Sequence, residues 1–127
     1  MEEEKELTDN DFLISETDLH GIITYANQDF MRISEYSLEE LLNHSHHIVR
    51  DKDMPASVFE ELWTTIKRGE TWSGYVKNRT KSGSYYWVKA VVSPLHMDDG
   101  SMGYISCRKK ASREKIKEAE KLYKEMK

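Results

Sequence analysis

One amide is set among apolar neighbours between Thr71 and Arg79. In an extended chain, Trp72, Gly74, Val76 and Asn78 share one face, while Ser73, Tyr75, Lys77 and Arg79 share the other. A buried Asn needs partners for two donor hydrogens and two acceptor lone pairs, which either a ligand edge or the backbone supplies. Trp72 suits stacking on a flat ring or plain core packing, and Gly74 leaves a gap where something approaches closely. On the following strand Tyr86, Val88, Ala90 and Val92 share a face, and the small Ala90 leaves space for a flat group or belongs to ordinary core. Arg50 carries a guanidinium suited to bidentate contact with phosphate, with Asp53 placed to orient it or to meet a ribose. A surface ion pair between Arg50 and Asp51, contributing little to stability, is the other reading. Arg108 is either a positive charge beside a bound ring or, with Lys109, a solvated strand end.

His44, His46 and His47 raise haem or metal binding, since imidazole is a common ligand for both. A metal site wants a fourth ligand at workable spacing and haem wants a large apolar cavity, while histidines in a polar loop are usually solvated. No Ser, His and acid set, no paired carboxylates in a cleft and no Gly-rich phosphate loop before a helix is found, so no enzyme activity is expected.

The elements that position these residues are legible. Phe12 to Ile14 open a strand, Asp18 to Gly21 turn it, and Ile22 to Ala26 return it as a hairpin. Asn27 is an N-cap for a short helix, and Ser37 with Glu40 three residues later forms a capping box for a second. Phe59, Leu62, Trp63 and Ile66 recur at helical spacing until Gly69. Three strands follow, over 71–79, 85–95 and 102–108, as an antiparallel meander. Ile116, Ala119, Tyr123 and Met126 then trace a narrow helical seam, which should dock on a second chain or on its own sheet.

This order predicts an α+β domain: a five-stranded antiparallel sheet with short helices on one face and flanking terminal helices. A frayed or helical lead-in over 1–11, a domain over 12–111 and a connector helix over 112–127 are expected. A chain of 127 residues holds one core, and a net charge of -4 with dispersed lysines and arginines argues against nucleic acid as a partner. The single cysteine, Cys107, excludes an intramolecular disulfide, and no apolar stretch approaches the roughly 20 residues that span a bilayer. A cytoplasmic location is expected, with a membrane-anchored partner allowed.

The segment order is that of the PAS family, and several motifs sharpen the resemblance. Asp18 to Asn27, Val49 to Pro55, Trp72-Ser73-Gly74, Lys77-Asn78-Arg79 and Tyr86-Trp87-Val88 resemble the flavin-binding PAS domains of bacterial aerotaxis receptors almost position by position. That resemblance implies a noncovalent FAD, with FMN as the alternative, whose redox state is reported to a separate chemotaxis signalling domain or membrane-bound partner. Together with the residue chemistry above, the candidate cofactor contacts are Arg50, Asp53, Trp72, Asn78, Ala90, Arg108 and His46. Asn78 corresponds to a flavin-binding Asn of the light-oxygen-voltage branch, where Lys81-Ser82-Gly83 also has its counterpart. That branch has a second Asn where this chain has Val88, and an adduct-forming cysteine about where His46 stands. The family usually reads Arg-His-Pro-Asp-Met-Pro where this chain reads Arg50-Asp51-Lys52-Asp53-Met54-Pro55. Redox or energy-taxis sensing is thus expected, beside a haem- or small-molecule-binding sensor and a cofactor-free homodimerisation module. In the flavin reading, Arg108 would stabilise an anionic reduced ring and raise its potential.

Overall fold

Local signals start and stop most elements in the computed structural model, which describes residues 3–126; Met1, Glu2 and Lys127, the ends of the expected lead-in and connector, lie outside. Strand β1 (Phe12–Thr17) points Leu13, Ser15 and Thr17 inward. The Asp18 carboxylate accepts the His20 and Ile22 amides, and Gly21 at φ +81° completes the turn into β2 (Ile23–Ala26). Asn27 caps α1 (Gln28–Ser34) by accepting the Phe30 N–H at 3.0 Å, and the same amide bonds Ile14 and Phe12 on β1. One side chain therefore both starts the helix and fixes it to the sheet. The Ser37–Glu40 capping box opens α2 (Leu38–Leu41) as expected.

The aperiodic stretch after α2 contains a single 3-10 turn at His46–Val49, capped by Ser45. Helix α3 (Ala56–Lys67) follows and ends before Gly69, then β3 (Trp72–Arg79), β4 (Tyr85–His96) and β5 (Met102–Lys110) form the meander. The sheet order is β2-β1-β5-β4-β3, antiparallel throughout, so β1 pairs with β5 and joins the hairpin to the meander. Phe30, Ile33, Leu41, Val49, Val58 and Ile66 from the helical half close on Leu13, Ile23, Val76, Tyr86 and Val88 of the sheet.

Helix α4 (Arg113–Met126) crosses the opposite face of the sheet. Ile116 and Ala119 bury against Trp87 and Ala111, and Tyr123 lies nearly parallel to Trp87 at 6.2 Å while its hydroxyl donates to the Tyr75 carbonyl at 2.6 Å. The seam thus docks on its own sheet, and Met126 at its end is exposed. The lead-in is neither frayed nor helical over its described part. Tyr85 exchanges backbone bonds with Glu3 and Lys5, Leu7 is buried, and Arg113 grips Glu4 with two bonds and Glu6 with one. Burial of Leu7 and these ion pairs fix a segment that composition alone marks as solvated.

Candidate functional site

Between the sheet and α3 lies a cavity of about 100 Å³. Its floor is built by register: Ala90 pairs with Arg108, and Val92, Ser106 and Ser15 stand in the next row across three strands. Ala and Ser at the centre leave room that larger side chains would fill. The roof is α3, whose Phe59, Leu62 and Trp63 remain only partly buried because they face the cavity. Gly21, His47 and Arg50 border the same space, and a Cβ on Gly21 would meet the Trp63 ring at 2.9 Å.

Arg108 is the dominant charge. It is 5% exposed, contrary to the reading of a solvated strand end, and donates to the Leu13 carbonyl at 3.4 Å, Ser15 Oγ at 3.1 Å and His46 Nε2 at 2.8 Å. The Phe30 ring lies 4.9 Å from its guanidinium carbon. A guanidinium only donates, so Nε2 of His46 accepts, and the Ser15 hydroxyl 2.8 Å away donates to the same nitrogen. His46 is therefore neutral, with its proton on Nδ1. Burial first, and then the Arg108 charge, hold its pKa well below the ordinary value. This histidine is partly buried at the cavity, unlike the solvated loop residue expected, whereas His44 and His47 are exposed.

Burial lowers Arg108 to about 10, which leaves it charged at neutral pH. Among the described residues no carboxylate pairs with it. A desolvated charge without an opposite partner costs several kcal/mol. Two further polar groups are unsatisfied nearby: Ser106 Oγ, on the cavity floor, and the Tyr86 hydroxyl, fully buried opposite Asn78. Burial pushes Tyr86 up to about 12, with the Arg108 charge acting in the other direction. Asn78 itself is 4% exposed and lines the cavity, on the face that alternation assigned to it.

The structure thus brings Asn78, Ala90, Arg108, His46 and Arg50 to one cavity and places two other candidates elsewhere. Trp72 donates from Nε1 to Glu61 on α3 at 3.0 Å, and its ring covers Gly74, where a Cβ would sit 2.6 Å away. The gap at Gly74 is filled by the chain's own indole. Asp53 is exposed and bonds Lys77 Nζ at 2.8 Å beyond the edge of β3, away from Arg50. Arg50 does not pair with Asp51 either: its guanidinium lies 4.1 Å from the Phe59 ring centre. Sequence reasoning missed Ser15, although the alternation Leu13, Ser15, Thr17 already set a serine on the buried face of β1. It gave Phe59 and Trp63 only as part of a helical period and not as cavity residues, because roof and core residues share one such period.

A five-stranded antiparallel sheet roofed by short helices over a polar-floored cavity defines the class. The PAS fold family matches residues 23–108, and the chain belongs to that family. Within it the chain is similar to the Aerotaxis receptor of Escherichia coli (strain K12), 46% identical over 118 residues, 93% of this chain and 23% of that protein. The Nitrogen fixation regulatory protein of Klebsiella pneumoniae is 33% identical over 70% of this chain and 18% of its own length. The chain therefore spans less than a quarter of either relative. Among solved structures, a light-oxygen-voltage domain studied with a flavin analogue has a TM-score of 0.72 at 24% identity, covering 91% of this chain and 87% of that one. A PAS domain from Colwellia psychrerythraea has a TM-score of 0.70 at 18% identity, covering 80% and 87%. No helix among the described residues is long and apolar enough to cross a membrane.

Proposed function

We propose that this domain is a cytoplasmic redox sensor that holds a flavin noncovalently and reports its oxidation state to a signalling partner. The observation that carries the reading is Arg108, a buried cation without a carboxylate, on a floor of small side chains that also carries Asn78 and Ser106. Flavin supplies reversible one- and two-electron chemistry and gains negative charge on reduction. Asn78 and Ser106 offer hydrogen bonds to a pyrimidine edge, and Arg108 favours the form that carries extra negative charge. His46, kept neutral, accepts from Arg108 and orients it without adding a second charge. Arg50, near the roof residue Phe59, is suited to phosphate, so FAD is the proposed flavin and FMN the alternative. Similarity to the Aerotaxis receptor supports energy taxis as the setting, with a chemotaxis signalling domain or membrane-bound protein as partner and a homodimer as the assembly.

About 100 Å³ is below the roughly 300 Å³ at which small-molecule pockets begin. Binding therefore requires α3 to swing outward, and that displacement is the route by which occupancy or charge alters a partner-facing surface. Haem is disfavoured because Nε2 of His46 already accepts two hydrogen bonds that a haem iron would have to break.

The test is the visible spectrum of freshly purified protein, followed by chromatography of the released chromophore. Bands near 450 nm (on the order of a free flavin's) that bleach with dithionite and return in air are expected. A Soret band would move the function to haem, and a colourless protein that refuses added FAD would leave an interaction module.

A further inference from the structure

Asp51 is a fully buried carboxylate with no part in the flavin site described above. The chain is extended at Arg50, with φ −72° and ψ 127°, so successive side chains leave it on opposite sides. Arg50 is bridged to Asn78 in antiparallel register, which lays the segment along the edge strand β3. On the far side, Asp51 Oδ1 accepts the Asp53 N–H at 2.8 Å and lies 3.7 Å from Lys77 Nζ, while Oδ2 lies 3.2 Å from Arg79 Nη2. The next residues hold the same strand: Asp53 bonds Lys77 Nζ and Met54 Sδ accepts the Lys77 N–H at 3.3 Å.

We propose that Asp51 is a positioning residue that holds Arg50 inward at the cavity and so sets a preference for phosphate-bearing flavins. This rests on the flavin reading. A buried carboxylate is tolerated only where cations and N–H donors surround it, and the Lys77–Arg79 side of β3 is where this chain supplies them. A slip of one residue along β3 would reverse every side chain, turning Asp51 into the cavity and Arg50 away from it. The ion cluster penalises that slip. In the register it enforces, the Arg50 guanidinium rests on Phe59 and has no carboxylate partner among the described residues, which leaves its charge for a ligand phosphate.

FAD differs from riboflavin by the diphosphate and an adenosine, whereas FMN differs by one phosphate alone, so with FMN titrated beside them the affinities isolate the phosphate contact of Arg50 from an adenosine contact and from general loss of fold. Each is titrated into the wild-type domain and into Asp51→Asn, with flavin fluorescence as the readout. The expected result is an FAD dissociation constant raised by about tenfold with that of riboflavin changed by less than about twofold. In an Arg50→Ala background, Asp51→Asn should add nothing to the loss of FAD affinity. Should Asp51→Asn fail to fold, Arg79→Gln removes one partner without touching the segment, and about a threefold loss selective for FAD is expected. Equal losses for both flavins, or no loss for FAD, overturn the assignment of Asp51 alone. A wild-type domain that binds neither flavin overturns the flavin reading and this assignment with it.

Discussion

Arg108, His46 and Ser15 form a triangle in which each hydrogen bond fixes the state of the next. Because Nε2 accepts twice, protonation of His46 would replace two favourable bonds with a cation facing a cation. The folded pKa of His46 lies below that of the unfolded chain, near 6.5, so the unfolded state takes up a proton that the folded state refuses as pH falls. Stability is full above about pH 6.5 and declines below it, by at most about 2 kcal/mol at pH 5. Chemical denaturation followed across that range should show this slope, and His46→Gln should flatten it. Arg108 tests a different balance. Arg108→Met removes a desolvated charge, so the flavin-free domain should be as stable as wild type to within about 1 kcal/mol. Flavin affinity, measured on the same samples, should fall about tenfold. A large loss of stability with unchanged affinity would make Arg108 a structural residue only. Asn78 and Arg108 were legible as candidates from alternation, but the identity of their neighbours was not, since Ser15 and His46 stand far from both in the chain.

Elements differ in how they use their apolar faces. Helix α3 turns Phe59, Leu62 and Trp63 toward a cavity, and only Val58 and Ile66 are buried, so few of its apolar side chains would be newly uncovered if it moved outward. Saturating flavin should therefore slow hydrogen exchange across 56–67 more than across β4; uniform protection would argue against a moving roof. Helix α4 is fixed instead. Tyr123→Phe deletes its hydroxyl bond to the Tyr75 carbonyl and should cost about 1 kcal/mol in urea unfolding, leaving the spectrum of any bound flavin unchanged. The sequence showed where α1 and α2 begin, because a side-chain cap acts within one turn, and that α3 stops by Gly69. It left open which surface α4 meets, since an Ile-Ala-Tyr seam suits any apolar partner. Trp87 decided that, standing on the outer face of β4 where alternation alone gave it no neighbour.

At the scale of the molecule, β1 lying between β2 and β5 joins the two halves of the fold and assembles the site. The two strands β1 and β5 approach so closely there that a Cβ on Gly103 would lie 2.1 Å from the Thr17 carbonyl oxygen. Gly103→Ala should prevent β1 from closing on β5, seen as loss of a cooperative thermal transition by circular dichroism; a sharp melt near that of wild type would show that the strands can separate without cost. By itself the sequence determined the strands, the capped helices, the turns and the PAS order, because these follow from forces between residues a few positions apart. Only the tertiary structure decided that Trp72 fills its own gap at Gly74, that Asp53 turns away from Arg50, and that Arg108 reaches Ser15 and His46. Those outcomes depend on strand register and burial across 11 to 93 positions of chain, from Trp72–Glu61 to Arg108–Ser15, and no local preference encodes such distances.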